Sequence, residues 1–232
     1  MDKIQDIENL FEFTYQYSFL IPLLILVFFY KKLKTEWVVW VIVAYCLLFF
    51  FLNFYFDLVP KNLRKLYYIF FTSFEFTSFA GLLFLLVKQK TFRQTILSLS
   101  AAFLVFQILY SVSEKFKILD SVPIGVESIV IFIFIFILFY EQFKNSRTQA
   151  IYNSSWFWIA TGIMLYLSGS FFFNILINNI DPKLGSEYWY FTYIFETLKN
   201  IFFSIALLFL LRQQKDNNIL KSNSVPFLDM IP

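Results

Sequence analysis

Residues 188–211 read YWYFTYIFETLKNIFFSIALLFLL, an apolar run long enough to cross a bilayer as one helix. Glu196 and Lys199 lie near its middle, three residues apart, and therefore on one face of that helix. A lysine at the centre of a membrane helix costs about 3 kcal/mol on insertion, and a glutamate is also unfavourable. We therefore expect both side chains to face a bundle interior or a wet cavity.

The composition of the whole chain is that of a helical membrane protein. Of its 232 residues, 59% are hydrophobic and 15% are charged, whereas a soluble domain is about half apolar and about a quarter charged. Long apolar runs recur along the chain, unlike the roughly ten-residue alternating segments of a membrane barrel. We predict an all-α polytopic membrane protein, with a seven-transmembrane-helix bundle over residues 1–211 and a flexible cytoplasmic tail over residues 212–232.

The predicted spans cover residues 13–30, 37–56, 66–87, 96–112, 124–140, 156–178 and 188–211. The fourth is the weakest, because it is short and contains three serines and Gln107, so a six-span bundle is the alternative. Gly81, Gly162 and Gly169 are interpreted as packing glycines that allow neighbouring helices to approach closely.

The distribution of basic residues favours an N-terminus outside the cell and a C-terminus in the cytoplasm. With this orientation eleven Lys and Arg fall in inner segments and seven in outer segments. Lys31, Lys32 and Lys34 directly follow the first span, which agrees with the positive-inside rule. The acidic N-terminus is unlike a signal peptide, so the first span is expected to remain. The Phe-, Ile-, Lys- and Asn-rich composition is typical of AT-rich bacterial genomes, so we predict the bacterial inner (plasma) membrane.

Several classes of function are excluded or disfavoured by residue types. The sequence has no histidine and a single cysteine, Cys46, which rules out an internal disulfide, His-based zinc sites and Ser-His-Asp triads. It has no nucleophile elbow and no phosphate-binding loop. The basic residues lie in short loops and form no nucleic-acid patch. We therefore expect no enzymatic activity, no cofactor, no bound metal and no nucleic-acid partner.

Polar residues from six predicted spans converge on the outer half of the bundle. On the last span Glu196, Lys199 and Asn200 share one helical face. The inner half, in contrast, is mostly Phe, Leu and Ile. The residues predicted to bind a ligand are Glu75, Gln107, Glu127, Asn174, Tyr193, Glu196, Lys199 and Asn200.

The charges in this polar layer do not balance. Three intramembrane glutamates, Glu75, Glu127 and Glu196, face one lysine, Lys199. The lysine can pair with Glu196 on its own helix or with Glu75 across the bundle. At least one carboxylate must then take up a proton, face water or meet a cationic ligand, because an unpaired buried charge is too costly.

A stretch around the sixth span carries a family resemblance. It contains Tyr152-Asn153, Trp156-Phe157-Trp158-Ile159, Gly162, Tyr166 and Ser168-Gly169-Ser170-Phe171. These residues and the helix number resemble uncharacterised bacterial seven-helix membrane proteins that are associated with sensor histidine kinases. The resemblance implies a sensory role and supplies no ligand and no catalytic residue. Since this sequence has no kinase domain and no histidine, signalling would require a partner.

The predicted function is that of a receptor-like sensory module. A small ligand would enter a polar pocket in the outer half of the bundle, and a membrane or cytoplasmic signalling partner would read the resulting change in helix packing. One alternative is a proton- or cation-coupled transporter of a small solute. The other is a non-catalytic subunit or scaffold of a membrane complex, because long Phe-rich helix faces bind protein as readily as lipid.

Overall fold

The computed structural model of the protein describes residues 2–112, 121–145, 151–177 and 190–223. Every regular element in these ranges is a helix, which confirms the all-α prediction. In chain order the α-helices are α1 (Asp2–Ser18), α2 (Leu20–Leu33), α3 (Trp37–Tyr55), α4 (Arg64–Leu86), α5 (Lys90–Val112), α6 (Ser121–Asn145), α7 (Ser155–Ile177) and α8 (Tyr190–Asn223). Short 3-10 turns follow α3, at Phe56–Leu58, and precede α7, at Ile151–Asn153.

Within the described residues, six helices are long and apolar enough to cross a membrane, so this is an integral membrane protein by helix length and composition. They are Asn9–Leu33, Trp37–Tyr55, Arg64–Leu86, Lys90–Val112, Val122–Lys144 and Tyr190–Gln213. The fourth predicted span, the weakest in the sequence, is among them as part of the 23-residue α5. Residues 156–177 of the sixth predicted span lie on α7, which is not among these six helices, so the seventh crossing stays a prediction.

The hydrogen bonding of the first predicted span is interrupted at one residue, Phe19, whose backbone keeps helical dihedral angles (φ −62°, ψ −24°). α1 ends at Ser18 and α2 begins at Leu20. Pro22 explains the interruption, because its ring clashes with the carbonyl four residues earlier, that of Ser18, and its nitrogen has no proton to donate. The hydroxyl of Ser18 instead donates to the carbonyl of Tyr15 at 2.7 Å. We call this point the α1–α2 break.

α8 lies against α7, α1 and α2. Two glycines of α7 allow the closest of these approaches. A Cβ atom at Gly162 would lie 2.8 Å from the Cβ of Phe202, and one at Gly169 would overlap the ring of Phe195. The packing interpretation is wrong for Gly81, where an added Cβ would meet no atom within 4 Å.

A buried carboxylate of α6 fixes the turn between α4 and α5. Glu141 is buried and accepts hydrogen bonds from the backbone N–H of Lys88, at 3.1 and 2.9 Å to its two oxygens, and from that of Gln89. These amides precede the first turn of α5, where a carboxylate is also favoured by the helix dipole. The end of the bundle at the α4–α5 turn therefore contains a polar anchor that the apolar sequence pattern did not predict.

The C-terminal helix is longer than predicted. α8 continues to Asn223, so residues 212–223 of the predicted flexible tail are helical. The reason is composition, because Arg, Gln, Lys and Leu are good helix formers and the first proline after the span is Pro226. Residues 224–232 lie outside the described part of the chain.

Candidate functional site

A cavity of about 260 Å³ lies at the end of the bundle where α4, α6 and α8 begin and where α3 and α7 end. Its wall is built from six helices: α1, α3, α4, α6, α7 and α8. Four residues predicted for the ligand site line it: Glu75, Glu127, Tyr193 and Glu196. These four residues therefore come together at one cavity, whose wall includes residues of α1 and none of α5.

Aromatic rings form much of the cavity wall. Tyr68 and Phe71 belong to the first turns of α4, and Tyr166 belongs to α7. Tyr15 of α1 stacks on Tyr193 of α8, with ring centroids 4.9 Å apart and an angle of 13° between the planes. Rings held in this way give the cavity a rigid apolar surface at little cost in side-chain entropy.

An ion pair lies directly behind the cavity. Lys199 is fully buried, and its Nζ is 2.6 Å from Oε1 of Glu196, one turn earlier on α8. The ammonium group also lies 4.0 Å from the ring centroid of Tyr166 and 4.6 Å from that of Tyr45. Burying two charges is expensive, and such an arrangement is tolerated only when extra hydrogen bonds and ring faces compensate for lost water.

Tyr45 of α3 joins charged groups of two other helices, α4 and α8. Lys199 donates a hydrogen bond to its hydroxyl oxygen. The same hydroxyl lies 3.4 Å from Oε1 of Glu196 and 3.5 Å from Oε1 of Glu75 on α4. Because a tyrosine has one hydroxyl proton, it can donate to only one carboxylate at a time. Its proton can therefore be directed to Glu196 or to Glu75, but not to both at once. We call Tyr45, Glu75, Glu196 and Lys199 the charged network.

Glu127 is the least satisfied polar group of the cavity. It is 1% exposed, and its Oε1 has no hydrogen-bond partner among the residues that the structure describes. It lies six residues after α6 begins, so the helix dipole, which acts within the first turn, does not account for it. A buried acceptor in this state is costly unless a donor reaches it.

The other predicted residues occupy different places. Asn200 is buried beside the network and donates to the hydroxyl of Ser18 at 2.7 Å, which ties α8 to the α1–α2 break. Gln107 is buried on α5 and does not line the cavity. Asn174 lies on α7, but its side chain is outside the described part of the structure. Lys199 is separated from the cavity by its own partners.

Residues of the site that were missed from the sequence include Tyr45, Tyr15 and Glu12. Tyr45 was overlooked because a tyrosine within an apolar run counts as hydrophobic. Its hydroxyl in the middle of a span nevertheless needs a hydrogen-bond partner, and this was a signal that could have identified it. Glu12 lies just before the first predicted span, which begins at residue 13. α1 begins at Asp2, so Glu12 lies beyond the first turn and instead lines the cavity.

The chemistry available to the site is recognition by hydrogen bonds, charge and ring faces. Among the described residues, no group of His, Cys, Asp or Glu is arranged to hold a metal ion. Comparison of the chain with known protein families, with curated proteins and with solved structures finds no match. The function must therefore be argued from the site itself.

Proposed function

We propose that the protein is a receptor-like sensory module of the bacterial inner membrane, with seven crossings, an external N-terminus and a cytoplasmic C-terminus. A small ligand enters the cavity from outside. A membrane or cytoplasmic partner reads the resulting change in helix packing. The proposal rests on one observation: Glu196 of the charged network lines the cavity, and the same helix, α8, contacts the α1–α2 break through Asn200.

The coupling runs along one face of α8. Glu196 lines the cavity, Lys199 joins it to Tyr45 and Glu75, and Asn200 contacts Ser18 at the break. A ligand that favours one hydrogen-bonding state of Tyr45 changes the balance of charge around Lys199. A ligand can shift such an equilibrium only by its difference in affinity for the two states. The break supplies a place where α1 and α2 change their relative angle.

The proposal is tested by a distance measurement between spin labels. The sole cysteine, Cys46, is buried and can be changed to alanine. Labels are then placed on exposed positions at the predicted inner face, through Lys88→Cys on the α4–α5 turn and Arg212→Cys on α8. The protein in lipid nanodiscs is exposed at about 1 mM each to small amines, carboxylic acids, alcohols and sugars. We expect at least one compound to change the distance distribution.

The same measurement on a Lys199→Met/Glu196→Gln double variant should give no response, while its helix content stays that of the parent. Glu36→Gln, which lies before α3 and outside the cavity lining, is the matched control and should respond normally. A double variant with the parent response, or a parent that no compound affects, would contradict the sensory proposal.

A coupled transporter is the second candidate, and the α1–α2 break favours it. Transporters bind solutes and ions where discontinuous helices meet buried charges, and Asn200 joins such an interruption to the charged network. Flux separates the two functions. A transporter reconstituted in liposomes would carry the compound inward together with protons or another cation. A sensor would change the label distance with no flux.

A further inference from the structure

The lining of the cavity identifies the class of molecule that it takes, provided that it is the ligand site proposed above. Its described lining contains four carboxylate side chains, Glu12, Glu75, Glu127 and Glu196, and no lysine or arginine. The remaining lining is largely aromatic or neutral polar. An anionic ligand would therefore meet like charges in a poorly solvated site, which costs several kcal/mol in protein interfaces.

The one buried lysine does not compensate for this charge. Lys199 is fully buried and already bonded to Glu196 and Tyr45. Glu75 has the hydroxyl of Tyr45 at 3.5 Å. Glu12 is only half-buried, whereas Glu127 is buried, lines the cavity and has no partner for its Oε1 among the described residues. The missing element is a hydrogen-bond donor, and a positively charged donor satisfies the hydrogen bond and the charge together.

Lys199 shows how this protein holds an ammonium group. Its Nζ combines one carboxylate, Glu196, with one hydroxyl and the face of Tyr166 at 4.0 Å. The cavity offers the same ingredients on its open side, because Glu127 and Tyr166 both line it. A carboxylate together with aromatic faces is the recurring arrangement for binding organic cations.

The observations favour an organic cation over an inorganic one. No group of described residues is arranged to hold a metal ion, whereas rings cover much of the cavity wall. The volume of about 260 Å³ lies just below the range of about 300–1,000 Å³ typical of small-molecule pockets. We propose that the cavity binds a small organic ammonium compound, with its charged nitrogen donating to Glu127 and its apolar body lying among the tyrosine rings.

The test compares three probes of nearly equal shape on the full chain in nanodiscs: phenethylammonium, 2-phenylethanol and 3-phenylpropionate. Isothermal titration calorimetry should show that phenethylammonium binds at least tenfold more tightly than the neutral alcohol, and that the carboxylate does not bind. Butylammonium and tetramethylammonium extend the series to cations of other shapes. Equal affinities for the three phenyl probes, or no binding by any of the three ammonium compounds at about 10 mM, would overturn the proposal.

The anchor is tested by variants at one position. Glu127→Gln should weaken phenethylammonium binding at least tenfold, whereas Glu127→Asp, which keeps the charge, should retain most of it. Glu36→Gln is the control for loss of a carboxylate outside the cavity and should bind normally. Unchanged affinity in Glu127→Gln would show that this carboxylate is not the anchor and would overturn the assignment. If a variant fails to fold, the comparison of the three probes on the parent protein still tests the proposal.

The spin-labelled protein separates this inference from the sensory proposal. An ammonium compound that binds through Glu127 but leaves the Lys88–Arg212 label distance unchanged supports the ligand class and contradicts the sensor. A neutral or anionic compound that changes this distance equally in Glu127→Gln contradicts the ligand class and supports the sensor.

Discussion

Lys199 carries a fully buried ammonium group, and we expect the stability of the bundle to depend strongly on how this charge is paired. It lies within hydrogen-bonding distance of Glu196 and Tyr45 and faces the ring of Tyr166. Removing one partner of a buried ion pair leaves the other charge uncompensated, which costs about 3–5 kcal/mol. Replacing both by neutral groups costs much less. We therefore regard the pair as one unit, whose members depend on each other.

This dependence gives the first prediction. Lys199→Met should lower stability by about 3–5 kcal/mol, and adding Glu196→Gln to it should restore most of the loss. Reversible unfolding in mixed micelles, followed by tryptophan fluorescence, measures both. A single variant as stable as the parent, or a double variant less stable than the single one, would show that the two charges are not coupled.

The hydroxyl of Tyr45 gives the second prediction. Tyr45→Phe removes a buried partner of Lys199 and should cost about 1–3 kcal/mol, because the lysine keeps its desolvation without that bond. Tyr140→Phe is the control, since Tyr140 is 59% exposed and its change should be nearly neutral. If the two variants unfold at the same denaturant concentration, the hydroxyl of Tyr45 contributes nothing to the stability of the protein.

At the scale of helices, contact between α7 and α8 depends on two glycines. Gly162→Ala should destabilise the bundle by about 1–3 kcal/mol, because the new methyl meets Phe202 and the helices must separate. Gly81→Ala is the matched control. It meets open space, so it should be neutral or stabilising by up to about 1 kcal/mol from helix propensity. Comparing the thermal midpoints of unfolding of the two variants tests this prediction. The reverse order would mean that α7 and α8 do not pack as described.

The turn between α4 and α5 depends on a single side chain of α6. Glu141→Ala leaves the backbone amides of Lys88 and Gln89 without their acceptor and should cost about 1–3 kcal/mol. Glu141→Gln keeps one acceptor oxygen and should cost less. Hydrogen exchange of these two amides should become faster in the alanine variant. Unchanged exchange would show that the carboxylate does not hold this turn.

Considered as a whole molecule, the fold follows from sequence more directly than the site does. Helix length, apolarity and the inward face of α8 are local properties, so the pattern of Glu196, Lys199 and Asn200 predicted that face correctly. Gln107 of α5 is buried but does not line the cavity, because the direction of its side chain depends on how that helix rotates against its neighbours. The periodicity of polar and apolar residues along the helix does not determine this rotation.

The site residues that escaped prediction share a physical cause. Tyr45 and Tyr15 contribute polar atoms from side chains that are mostly apolar, so a count of charged and amide groups overlooks them. Gly81 and Gly162 look alike in the sequence, and only the presence or absence of a facing helix distinguishes their roles. Such differences arise from contacts between helices, which are set by the assembled bundle.

The claim that the cavity is a chamber open to the outside is tested most directly by cysteine accessibility in cells. In a Cys46→Ala background, Thr72→Cys places a thiol on the cavity wall, and Thr77→Cys places one on the outward face of the same helix. We predict that an externally added, membrane-impermeant cationic methanethiosulfonate modifies Thr72→Cys and leaves Thr77→Cys unmodified in the bilayer. Failure to modify Thr72→Cys from outside, or its modification only in inverted vesicles, would contradict the account.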